Sequence, residues 1–403
     1  MTTRRTFLVL AGSGLALTAA GCREPAAAAA ALTDVVLADS TRGLLRLSPT
    51  GEQVLGTSAV AGFDGAHLYA RQDANLVQLD PATGATTRSR PIGDGWLPRA
   101  VSLDGRACAL GRTPATDRPA ARARTPLLVT GPAGDREYDL PGVIEPDAFT
   151  SDGQGLFVLD WLPATAPDHY RVRLLDLTSG EVQPLLTRNK VPVPAGAEEE
   201  MRGDGRQAIL SADRQMLFTL YTHQPGHQHT RDLLSGRPGN AHAFVHVLHL
   251  TERWAYCLDL PHPFGEGPIA GHALAATRDH LAVADLHSGK LAYATPSTLS
   301  IDRVIEVPAA PGATAVLTLT PDGRTLVGAH DRITVLNTST NAQLASWTVP
   351  APLKGLALSP DGTRLYAGTE RRLLHLDAAS GTAQGETEVI GLTTVRQTLP
   401  THG

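Results

Sequence analysis

The plainest regularity along the chain is a cycle of four short apolar runs, each alternating with polar positions and separated by tight-turn residues. In the C-terminal third it reads "AVLTLTPDGRTLVGAHDRITVLNTSTNAQLASWTV" from Ala315, then "GLALSPDGTRLYAGTERRLLHLDAASGTAQGETEV" from Gly355, an offset of 40 residues. Alternation of this kind predicts half-buried strands, and the Pro-Asp-Gly and Asn- or Gly-containing punctuation predicts hairpins between them. A four-strand unit of about 40 residues cannot bury both of its faces alone and is the signature of a β-propeller blade. Weaker copies of the first turn stand at Ser102 ("SLDGRACAL"), Thr150 ("TSDGQGLFVL"), Ser211 ("SADRQMLFTL"), Ala276 ("ATRDHLAVA") and Gly62 ("GFDGAHLYA"), which makes seven anchors. Ahead of them, Asp34 to Gly56 supplies three strands without a first, and Gly391 to Leu399 is a spare strand. Joining the two ends in one blade closes the ring and removes open sheet edges. The expectation is an all-β protein, a propeller of eight blades, or seven if the short spacing between Gly51 and Gly65 merges two partial units.

These units resemble the YVTN-type repeats of lactonase-like and quinoprotein-like propellers; "RLYAGT" (Arg364 to Thr369) and "TLVGAH" (Thr325 to His330) approximate the name-giving tetrapeptide. The resemblance implies a rigid ring with a broad binding surface. It also raises a lactonase-like hydrolase, although no acid, base and metal set of that activity can be matched here residue by residue.

In an antiparallel meander the second-to-third strand loops and the connections between blades leave from one face. The long insertions fall at those places: Arg112 to Thr125, Leu162 to His169, Arg188 to Asp204, Thr222 to His242 and Pro261 to Gly271. The opposite face carries only tight turns such as "PDG", "ATG", "TSG" and "ASG". Long loops in a compact domain are usually functional or disordered, so the inserted face is the expected working surface.

The N-terminus changes the picture of where such a ring works. "TRRTFL", with Arg4 and Arg5, an apolar run and small residues before Cys22, resembles a twin-arginine export signal, and "TAAGC" resembles a lipobox with Ala19 in place of leucine. The expected organisation is a signal peptide over 1–21, an Ala-rich tether over 22–32 and a propeller over 33–403. Cys22 is the expected lipid attachment site, with simple cleavage in the alanine tract as the alternative, so the protein is expected outside the cytoplasm, membrane-anchored or secreted, and monomeric. Removing Arg4 and Arg5 takes the formal charge from -5 to about -7, which argues against a nucleic-acid partner. Cys108 and Cys257 then remain, far apart and flanked by apolar residues, and are expected as buried free thiols.

Candidate chemistry gathers between Tyr221 and Leu250, where six of the 15 histidines fall. On an extended strand, His242 and His246 share a side but lie roughly 13 Å apart, so they cannot chelate one ion alone, and His249 points the other way. Their expected role is packing at the blade's edge. The loop trio His223, His227 and His229 differs, because Pro225 and Gly226 can reverse the chain. It is either a solvated polar loop or a zinc or copper site with Asp232 or His242 as a fourth ligand. "EEEMRGD" (Glu198 to Asp204) lacks ordered calcium spacing and reads as a solvated acidic loop. His242, His262 and Glu266 are ligand-face candidates, the last two with acid or base capacity beside a Phe264 expected to pack inward. No catalytic set emerges, so an extracytoplasmic ligand- or partner-binding propeller is the first expectation. A metallochaperone or metal-dependent oxidoreductase is the alternative.

Overall fold

A computed structural model describes residues 32–399 except 204 and 240. The expected signal and tether, with Arg4, Arg5 and Cys22, lie outside the described residues. Those residues form eight sheets arranged as propeller blades, seven of them purely antiparallel and four-stranded. Blade 1 contains Gly51–Gly56, Gly43–Ser48, Val35–Ser40 and, innermost, Leu392–Leu399. Blades 2 to 4 begin at Val60–Ala61, Leu97–Val101 and Val143–Phe149, and blades 5 to 8 at Gln207–Leu210, His272–Ala276, Val316–Leu319 and Leu353–Leu358. The eight-blade expectation holds, and so does the near absence of helix: the described residues include one six-residue α-helix, Thr230–Ser235, and one short 3-10 turn, Ile269–Gly271.

The turn residues explain why the weak sequence copies are real. At each, a Ser or Thr hydroxyl donates to an Asp two residues on: Ser102 to Asp104, Thr150 to Asp152, Ser211 to Asp213 and Ser359 to Asp361, all at 2.6 Å, with Thr320 and Asp322 paired likewise. This fixes the hairpin between first and second strands whatever residue replaces the proline. Gly62 and Ala276 are the exceptions: the Gly62 turn closes through Gly62 N to the His67 carbonyl with Asp64 accepting from Ala66 N, and the Ala276 turn through Thr277 and the His280 carbonyl.

Ring closure follows the expected pairing. Leu392–Leu399 runs antiparallel to Val35–Ser40, with Val36 opposite Thr398 and Ala38 opposite Val395. Leu392, Val395 and Leu399 are buried there. The cores lie between blades, and the one joining blades 4 and 5 is the most aromatic, with Trp161, Tyr170, Tyr221 and Phe244 in successive ring contact. Innermost strands of all eight blades surround a channel of about 910 Å3 crossed by the Asp147–Arg206 and Arg99–Glu145 ion pairs.

The five insertions touch one another. Arg122 N donates to Ala164 O, Arg202 N to Gln224 Oε1 and His223 N to Gly265 O, while Gly203 lies against Trp161 and the Asp117 carbonyl. Among the described residues no helix is long and apolar enough to cross a membrane.

Candidate metal centre

The site is built where the connector between blades 4 and 5 meets the outer strands of blade 5. Phe244–His249 and Trp254–Asp259 pair antiparallel with His246 directly opposite Cys257, so imidazole and thiol stand on one side of the sheet. After Val182–Pro184 the connector does not go straight to the next inner strand. Leu186–Thr187 first pairs in parallel with Trp254 and Ala255, adding a fifth strand outside the blade. It then folds back, Val193 N donating to Leu185 O, and Met201 exchanges both backbone hydrogen bonds with Tyr170 of blade 4. Between these fixed points lie Glu198 and Glu199. Arg173 of blade 4 holds Glu198 through two contacts of 2.8 and 3.3 Å.

Glu199 turns inward, only 16% of its side chain exposed, and its carboxylate is the centre of the cluster. One oxygen accepts from the Thr230 amide at 2.8 Å. The other lies 2.9 Å from Cys257 Sγ, 3.3 Å from His229 Nδ1 and 3.5 Å from His227 Nε2. Ligand atoms of Glu199, His229 and Cys257 all fall within 4.8 Å of one another. The His229 ring also bonds Asp259 through Nε2, and Asp259 in turn pairs with Arg231. A carboxylate behind a histidine is the arrangement that fixes ring orientation in metal sites. His227 stacks on Phe244, ring centroids 4.4 Å apart, with its buried Nε2 turned toward the Glu199 carboxylate.

Charge follows from these contacts. Burial alone would push the Glu199 carboxyl up, but hydrogen bonds from His227 and His229 hold it well below the usual carboxylate range. Burial also works against a charged His229, yet its bonds to Asp259 and Glu199 win and raise it to about 9. Burial, reinforced by the neighbouring Glu199 charge, pushes the Cys257 thiol well up. The metal-free cluster is therefore a carboxylate between an imidazolium and a thiol that both donate to it.

A tetrahedral zinc ion with metal–nitrogen and metal–oxygen bonds of about 2.0–2.2 Å requires ligand–ligand edges of roughly 3.4 Å, and roughly 3.6 Å where sulfur is one partner. The His229–Glu199 distance of 3.3 Å already matches such an edge. The Cys257–Glu199 distance of 2.9 Å is short because the thiol proton occupies it, and replacing that proton by a metal lengthens it. The donor set fits a zinc-class ion.

The candidates read from sequence are divided by the structure. His227 and His229 come together, ring centroids 4.7 Å apart. His223 does not join them: its backbone turns left-handed (φ 58°), and its ring lies beside His272 with Nδ1 2.9 Å from Thr222 Oγ1. Asp232 caps the short helix, accepting from His229 N at 3.2 Å, and is not turned to the cluster. His242 precedes the strand, half-buried, its carbonyl accepting from Gln224 N. His246 faces the same cavity as the cluster. The strand carrying His246 and His249 is internal to its sheet, not at its edge, because Trp254–Asp259 and Leu186–Thr187 pair outside it. His249 packs on Trp254. His262 and Glu266 pair with each other at 2.9 Å in an exposed turn over a buried Phe264. Cys108 and Cys257 are both free and buried. Glu199 and Cys257 were not among the expected ligands. The acidic run is not a solvated loop, because Glu198 and Glu199 are both turned into the protein.

No protein-family model and no curated protein matches the chain. Similar solved structures are propellers. Apo AztD from Citrobacter koseri superposes with a TM-score of 0.53 at 10% identity, covering 91% of this chain and 97% of that one. The dihydro-heme d1 dehydrogenase NirN, in complex with DHE, gives 0.48 at 16% identity over 94% and 77%. BamB from Moraxella catarrhalis gives 0.47 at 14% identity over 83% and 91%. The likeness to AztD, at 10% identity, shows the fold alone.

Proposed function

We propose that this protein is an exported, lipid-anchored propeller that binds a zinc-class divalent ion through Glu199, His229 and Cys257. The observation that supports this reading is the convergence of three ligand atoms within 4.8 Å from three separate segments, with Asp259 bracing the histidine. Sulfur, imidazole and carboxylate together suit zinc; copper(II) is the natural competitor because it binds nitrogen and sulfur sites more tightly. Export and anchoring rest on Arg4, Arg5 and the "TAAGC" segment ending at Cys22. The described chain starts beside the tight-turn face, where Asp34 accepts from Tyr366 at 2.5 Å. A tether leaving from there holds the inserted face, and with it the metal centre, away from the membrane.

Zinc titration of the mature protein against a competing chelator tests the metal reading. One equivalent is expected to bind, about 100-fold or more weakly in C257S and H229A, and as in the parent in H223A. A parent that takes up neither zinc nor copper, or a C257S–H229A double variant that binds like it, refutes the reading. Cell fractionation tests the address: C22S is expected to move the protein from membrane to soluble extracytoplasmic fraction.

A further inference from the structure

Glu199, His229 and Cys257 form part of the wall of a cavity of about 470 Å3, far more room than one coordinated ion fills and within the usual range of small-molecule sites. The remaining lining is mostly apolar, with Val172, Leu185, Val193, Met201, Leu234 and Tyr256 contributing. Val191 and Leu234, which also line it, are each 58% exposed. Exposed apolar side chains at a cavity are stabilised when a ligand takes their surface from water.

Charge narrows the head group. A divalent ion held by the Glu199 carboxylate, the Cys257 thiolate and neutral His229 makes a centre of zero net charge. Of the two guanidinium groups on the lining, Arg231 is already paired with Asp259 and Arg188 is exposed, over the Tyr256 ring; an anionic fourth ligand at the metal would therefore lack a free buried counter-charge, whereas a neutral nitrogen needs none. Zinc with three protein ligands keeps its fourth position for water or substrate.

We propose that the metal-loaded cavity binds a small molecule with a neutral nitrogen-heterocycle head and an apolar body, the head completing the coordination tetrahedron and the body lying against Val172, Leu185, Met201 and Leu234. This rests on the metal reading above, and the two can fail separately. The full mature chain is loaded with cobalt(II), whose visible bands report coordination, and titrated with imidazole, 1-butylimidazole and 1-hexylimidazole. Affinity is expected to rise about fourfold per methylene while the chain is being buried, and L234D, with cobalt saturated in both proteins, is expected to lose most of that gain for the hexyl compound. A cobalt spectrum that none of the three changes, or equal affinity for all three, overturns the proposal and leaves the metal reading standing. Perturbation only in H227A also overturns it, since His227 would then close the fourth position itself. No cobalt, zinc or copper uptake at all overturns both.

Discussion

His229 and His246 line one cavity, and their surroundings push them in opposite directions. His246 is buried, and burial lowers its pKa to about 4. The unfolded chain, near 6.5, takes the proton first, so this group's contribution is fully present above pH 6.5 and is lost as pH falls from 6.5 through 4, by at most about 3 kcal/mol. For His229 the sign reverses. With a folded value of about 9, its contribution to the metal-free protein is complete below pH 6.5 and is lost as pH rises through 9. Urea unfolding of the metal-free protein is expected to show a flatter acid limb in H246F and a flatter alkaline limb in H229Q. Unchanged slopes in both variants would contradict these assignments. Zinc must also displace the His229 and Cys257 protons, so affinity is expected to climb steadily as pH rises toward 9. The histidine cluster was visible in the sequence, but the choice among its members was not. His223 and His227 differ through a left-handed backbone at one position, and Glu199 stands between two other glutamates with no spacing to mark it as the one turned inward.

At the scale of elements, the centre depends on the connector between blades 4 and 5. A long connection was predictable there from the absence of alternation between Arg188 and Asp204. Its parallel pairing with Trp254 and Ala255 was not, because a two-residue strand carries no periodicity. Nor was the helix Thr230–Ser235, which is held by His229 and Asp232 at its start and by Gly236 in a left-handed conformation at its end. Strand His169–Asp176 supplies the clamp on this connector: Arg173 fixes Glu198, and Glu199 follows. R173A removes no ligand. It is expected to weaken zinc binding about tenfold, as loss of a supporting contact does, and to lower the melting temperature of the metal-free protein as well, because the mostly buried Glu198 and Asp160 lose their guanidinium partner. A zinc affinity equal to the parent's would show that Glu199 is positioned by Thr230 alone.

For the whole molecule, the blade count was legible because the hydroxyl–aspartate turn survives in copies whose strands have diverged. Five blades announce themselves through Ser102, Thr150, Ser211, Thr320 and Ser359, and the first is recovered only by adding a strand from the other end of the chain. That borrowed strand is also where the ring is most easily opened. Removing 391–403 would strip the partner from Val35–Ser40, whose Val36, Leu37 and Ala38 are wholly buried, and delete the buried side chains of Leu392, Val395 and Leu399. At about 1.5–3 kcal/mol for each of those side chains, the loss is of the order of the total stability of an ordinary domain, about 5–15 kcal/mol. The truncated protein is therefore expected to lose its cooperative melting transition or to aggregate through the bared edge. A truncated protein melting at the parent's temperature would mean that the remaining three strands of blade 1 hold the ring without closure.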